Sequence, residues 1–360
     1  MSGCTPGYVE TARALGGLDC SSAWVSVRSP LDPADGTMPV VEALMVVGAL
    51  LTLAHAVRRW RRLGDPTNLG LWCASVVYVL VLEPPLYFPD RFGLDGEVGL
   101  IFVHNVFTVQ FLHDRLPLYI LALYPALTYL AYALVQRTGL LARHGTLTGA
   151  ACVAVVFHAF YEVFDMIGPR LHWWAWNPDA PTNTPLLGDV PLSSLAVFAA
   201  ASPFGVAVLT DRLLARPARG PFAVRVVAVG VLAPVLMTLP ALPYGVVSRL
   251  PDPSPVAEAV ALWAIPAVLL VAAVLTVVAD RRAHPVAVAE PDPFPVTAGV
   301  VYLVVFAGLW LHAWSRVPIE GRAYAATCFA VCLVVLASGP ILAGPRSPQK
   351  AQKVGSDPTK

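Results

Sequence analysis

Long apolar runs alternate along this chain with short polar or basic breaks. That pattern predicts helices that cross a membrane, since about 20 apolar residues in a helix span roughly 30 Å of hydrocarbon. Nine such runs are read, at 38–57, 69–88, 116–135, 147–167, 190–209, 222–242, 256–278, 295–314 and 324–342. The ~10-residue alternating segments of a membrane β-barrel are absent. The expected fold is an all-α, polytopic membrane bundle of about nine helices. The stretch 99–113 is also apolar, but its length of roughly 15 residues is short for a crossing. A crossing there would flip every later loop. It is therefore expected to lie on the outer side as a re-entrant or surface-lying helix, with a tilted tenth span as the alternative.

Orientation is read from the basic residues, which favour the cytoplasmic side. Arg58, Arg59, Arg61 and Arg62 close the first run, Arg281 and Arg282 close the seventh, and Lys350, Lys353 and Lys360 mark the tail. These positions share the inner side if the N-terminus is outside and the C-terminus inside. The expected organisation is an extracytoplasmic segment at 1–37, helices one to five with a polar site at 38–215, largely apolar helices six to nine at 216–344, and a disordered cytoplasmic tail at 345–360. The first 37 residues include Glu10, Arg13, Asp19, Arg28, Asp32 and Asp35 and have no apolar core, unlike a signal peptide. The expected location is the cell membrane.

Composition agrees with this picture. The chain is 57% hydrophobic and 13% charged, against about 25% charged in soluble domains. A net charge of +1 offers no basic excess for nucleic acid. Membrane lipid is the expected partner, and the sequence leaves the oligomeric state open. Cys4 and Cys20 flank the polar N-terminal segment and can form a disulfide if that segment is outside.

Candidate chemistry centres on the fourth run. Glu162 lies inside it, with His158 four residues before and Asp165 three after. At 100° per residue, these three side chains share a helix face about 60° wide. Ionisable groups inside a bilayer are costly and mark functional sites. Glu83, on the second run, reaches about the same height as Glu162, roughly 21–22 Å from the inner end at 1.5 Å per residue. His104, His113 and Asp114 fall on the outer side, as does the aromatic segment Trp173, Trp174, Trp176 and Asn177. These groups are expected to form a polar hollow opening outward between the first five helices. Glu162, His158, Asp165 and Glu83 are the candidate catalytic residues. His104, His113, Asp114, Trp173, Trp174, Trp176 and Asn177 are the candidate substrate-binding residues. The eight histidines are dispersed, so no metal site is expected. Phosphate-loop, dinucleotide and serine-nucleophile motifs are absent, and no cofactor is expected.

The run HAFYEVFDMIGPRLHWWAWNPD followed by PLLGDVPLSS resembles uncharacterised bacterial polytopic membrane proteins, and more loosely the carotenoid-hydratase family. The resemblance covers about 157–200. It implies protonation of a C=C bond by Glu162 or Asp165 and capture of the cation by water. Three functions remain open at this stage: an intramembrane enzyme acting on an isoprenoid, carotenoid or other lipid by acid–base chemistry; a proton-coupled transporter; and a non-catalytic membrane scaffold.

Overall fold

The computed structural model of the chain describes residues 4–33, 35–216, 219–284 and 292–342. The expected tail, 345–360, lies outside the described residues. Among the described residues, nine helices are long and apolar enough to cross a membrane. They are α1 (Thr37–Leu63), α2 (Thr67–Tyr87), α3 (Leu118–Gln136), α4 (Thr146–Asp165), α5 (Ser194–Ala215), α6 (Phe222–Val247), α7 (Pro255–Ala283), α8 (Phe294–Ala313) and α9 (Ile319–Leu342). Each corresponds to one apolar run of the sequence.

Local chemistry sets the helix ends. Asp35 accepts from the Thr37 amide at 2.8 Å and hydroxyl at 2.6 Å, which caps α1. Asp65 does the same for Thr67 at the start of α2, at 2.9 and 2.6 Å. Such caps satisfy amides that have no partner within the helix. Gly64 closes α1 with φ of 71°, a left-handed conformation that glycine adopts without steric penalty.

Helices α3 and α4 form the centre, and 89% of the apolar window of each is buried. Helix α7 is at the rim, with 22% of its window buried, and exposes Val260, Val268 and Val271. An apolar helix with apolar residues exposed is what a lipid solvent requires. Helices α6 to α9 pack on α2, α3, α4 and α5. The later helices thus pack with the earlier ones in one bundle.

The helix ends gather on two faces. One is basic and includes Arg58, Arg59, Arg137 and Arg143. The other carries a cap made of the N-terminal segment and the connections before α3 and α5. Cys4 and Cys20 are disulfide-bonded within this cap, with their Cα atoms 5.9 Å apart. Strand β1 (Val25–Val27) pairs with β3 (Val109–Phe111), which pairs with β4 (Leu116–Pro117); β2 (Phe102–His104) pairs with β5 (Trp174–Trp176); β6 (Leu186–Leu187) pairs with β7 (Val190–Pro191).

The stretch 99–113 does not cross the bundle, as its length implied, but the expected helix is corrected to β2, a turn and β3. Its amides find partners elsewhere in the chain. Asn105 N donates to Trp173 O at 2.9 Å. The buried Glu42 of α1 accepts from Thr108 N and Val109 N, both at 3.2 Å. With donors satisfied from outside the segment, helical bonding within it is not needed.

Candidate functional site

Strand β2 pairs antiparallel with β5, placing Phe102 opposite Trp176 and His104 opposite Trp174. Side chains alternate across a strand. Phe102, His104, Trp174 and Trp176 therefore share the face that closes over the helices. Val103 takes the other face and packs with Tyr8, Ala12 and Leu100 of the cap.

Beneath this ribbon lies a cavity of about 30 Å³, walled by Glu83 of α2, Ile120 and Tyr124 of α3, Tyr161, Phe164 and Asp165 of α4, and Phe198 of α5. That volume has room for one or two waters. Its walls are mainly aromatic, yet it receives two carboxyls from separate helices and one imidazole. The Asp165 carboxylate accepts from Ser194 Oγ at 2.8 Å. Ser194 opens a π-helical stretch of α5 that runs to Ala201, and such widened turns recur at functional sites. The hydroxyls of Tyr87 and Tyr124 lie beside Glu83, but Tyr87 does not reach hydrogen-bonding geometry, and Glu83 Oε2 has no partner among the described residues.

His104 contacts the Tyr119 hydroxyl through Nδ1 at 3.1 Å, while Nε2 has no partner among the described residues. Burial pushes its ionisation down to about 3, opposed by the nearby main chain of Trp173. The ring is thus a neutral imidazole at physiological pH. The indole N–H groups of Trp174 and Trp176 are also buried and unpartnered among the described residues. Buried polar groups are normally paired, so the several orphans around this hollow leave donors and acceptors that a water or a ligand can satisfy.

The structure separates residues that the sequence grouped. Asp165 and Glu83 share the cavity wall, whereas Glu162 does not line it. Glu162 is fully buried, and neither carboxyl oxygen has a partner among the described residues. It lies within electrostatic reach of Asp165 and of Tyr324 and Cys328 on α9. His158 accompanies it, 2.6 Å from the Tyr324 hydroxyl. Periodicity placed the three α4 groups on one face, but the cavity meets only the edge of that face.

His113 and Asp114 belong to the cap rather than to the cavity. The His113 ring packs 5.0 Å from Trp24, and Asp114 is ion-paired with Arg28. Trp173 is fully buried and donates its indole N–H to Thr37 Oγ1 at 2.9 Å. Asn177 donates to Leu100 O at 2.8 Å, tying β5 to β2. Sequence reasoning missed Phe102, Tyr124, Tyr161 and Ser194; their only signal was aromatic or hydroxyl character near the outer helix ends. Among the described residues, no group of three or more His, Cys, Asp or Glu side chains is gathered to hold a metal ion.

No curated protein and no solved structure matches this chain, so the likeness to carotenoid hydratases gains no support there. A family match does cover 28–215. This is just over half of the 360 residues, and every residue that walls the cavity falls inside it. The chain is a multi-pass, membrane-type helical protein, and it belongs to the family defined by the domain of unknown function DUF7802.

Proposed function

We propose that this protein is an intramembrane enzyme that performs acid–base chemistry on an isoprenoid or other lipophilic substrate at the Glu83–Asp165 pair. The observation that carries this reading is the meeting of two carboxyls from different helices with a neutral imidazole in one aromatic-walled, water-sized hollow. Two carboxylate charges facing one apolar space are costly, which favours one acid and one base. The acid protonates one carbon of a C=C bond. Aromatic faces stabilise the cation that forms on the other carbon. A water molecule adds there, and the carboxylate takes its surplus proton, so the net change is addition of water. Return of that proton to the acid completes the cycle. His104 Nε2 orients the water.

In this reading the cap faces outward and the basic face lies against the inner leaflet of the cell membrane, following the distribution of arginines. The expected outcome is that Glu83→Gln and Asp165→Asn each lower product by at least about 100-fold, the usual scale of a general acid or base, while insertion is unchanged. Lipid profiles of a deletion strain carrying each variant measure this. Wild-type product levels in both variants overturn the proposal.

One observation favours a proton-coupled permease as a second reading. Asp165, Glu162 and His158 descend α4 in steps of one turn and meet Tyr324. Below His158, however, α4 offers mainly Ala, Val, Phe, Cys and Gly down to Thr148, roughly 15 Å at 1.5 Å per residue. Proton uptake by proteoliposomes that Glu162→Gln abolishes would favour the permease.

A further inference from the structure

A second hollow, of about 420 Å³, lies in the cap. Its walls include Arg170, His172, Asn183, Leu186 and Asp189. It shares two residues with the inner cavity, Trp174 and Trp176. The inner cavity, at about 30 Å³, is too small for any ligand larger than its reacting end. The outer hollow has the size of ordinary ligand sites, which run from about 300 to 1,000 Å³. We infer that the two form one divided binding site, with a neutral, hydroxyl-bearing amphiphile lying in the outer hollow and passing its apolar reacting end between Trp174 and Trp176 to Glu83 and Asp165. This rests on the reading of that pair as the reacting centre.

Charge and polarity select the ligand class. Arg170 is ion-paired with Asp189, with Nη2 to Oδ1 at 2.6 Å, so among the described residues the wall leaves no arginine or lysine unpaired for a phosphate. Asn183 Nδ2 is held by Ile101 O at 2.6 Å and Asn177 O at 2.8 Å. Its Oδ1 is buried without a partner among the described residues, and it is an acceptor suited to a hydroxyl. The inner wall is aromatic and suits an unsaturated apolar end.

The two tryptophans differ in freedom. Trp174 is buried and lies flat over Gly168, where a Cβ would come within 1.9 Å of the indole. Trp176 is half-buried and touches Trp174 edge-on, with centroids 6.2 Å apart. Trp176 is therefore the leaf that moves, and Trp174 is the fixed post.

The test needs no turnover, so it stands apart from the proposed chemistry. A reporter cysteine is placed on the inner wall, Ile120→Cys or Phe198→Cys, in the full chain in lipid nanodiscs. A cationic methanethiosulfonate is added, and its attachment is located by mass spectrometry. Slow labelling is expected with Trp176 in place, and at least tenfold faster labelling with Trp176→Ala or the milder Trp176→Phe. The lipid-facing control Val268→Ala leaves the rate unchanged. A bulky maleimide attached beforehand to Leu186→Cys slows the reaction again. The inference is overturned if neither Trp176 variant changes labelling of either reporter in folded protein. It is also overturned if a lipid-soluble maleimide labels faster than the cationic reagent regardless of Trp176, because access then runs sideways from the bilayer.

Discussion

Gly168 is the position where a single added carbon has the largest calculable effect near the site. An alanine Cβ there would sit 1.9, 2.1 and 2.7 Å from three carbons of the Trp174 ring. Carbon atoms settle at about 3.5–4.0 Å, so the ring has to move by roughly 1.5 Å. It cannot do so freely. Phe164 lies 5.1 Å from it, Trp176 6.2 Å and His104 6.2 Å, centroid to centroid, and its backbone is paired with β2. Overpacking of this kind costs about 1–3 kcal/mol, and the rigid indole points to the upper end, about 2–3 kcal/mol. That is a roughly 30- to 150-fold change in the folding equilibrium. Unfolding by denaturant in mixed micelles measures it for Gly168→Ala, Trp174→Ala and the double variant. Trp174→Ala alone is expected to cost about 3–5 kcal/mol through the cavity it leaves. In the double variant the clash vanishes, so the two effects fall short of additivity by about 2–3 kcal/mol. Strict additivity, or an unaltered Gly168→Ala, refutes the argument.

Two further outcomes follow from buried charge. His104 ionises at about 3 in the folded chain against 6.5 when free. The unfolded chain therefore binds a proton that the folded one rejects, and stability falls as pH drops from 6.5 towards 3, by roughly 1.4 kcal/mol per unit. Unfolding midpoints between pH 5 and 7 show the slope, which His104→Gln is expected to remove. On the basic face, Arg143 donates Nε and Nη2 to Asp280, both at 2.8 Å, and His144 Nε2 lies 2.9 Å from the same carboxylate. Asp280→Asn is expected to destabilise the bundle by about 2–4 kcal/mol by leaving the guanidinium without its anion. Adding Arg143→Met should recover much of this, and no recovery would place the loss elsewhere.

The nine helices were legible because each apolar run must match a fixed hydrocarbon thickness, and that constraint is local. The ribbon over the cavity was not, because β2 and β5 are three residues each and meet across about 70 positions of chain. The segment 102–104 reads as merely apolar until Trp174–Trp176 is set against it. The α4 groups show a different limit. Their 3.6-residue spacing fixes which side chains share a face, but α4 is buried over 89% of its apolar window. No polar flank indicates how that face is turned. Glu162, rather than Asp165, was thus the natural sequence choice, although Asp165 is the α4 carboxyl that lines the cavity with Glu83. Trp173 and Asn177 carried the same signal as Trp174 and Trp176, yet hold the cap together through Thr37 and Leu100.

Leu112, His113 and Asp114 are consecutive non-glycine residues with φ of 56°, 61° and 62°. Each costs about 1–2 kcal/mol in this left-handed form, so the trio persists only because other parts of the chain hold it. Leu112 N and His113 N donate to Trp24 O and Ala23 O at 2.9 and 3.1 Å, and Arg28 grips Asp114. All three restraints come from the N-terminal arm. A few residues later, after β4, the chain enters α3, whose Ile120 and Tyr124 wall the inner cavity. The N-terminal arm thus works like a thumb on a latch, holding the turn from which α3 sets out. The resting shape of the inner cavity is therefore set in part by residues that never touch it.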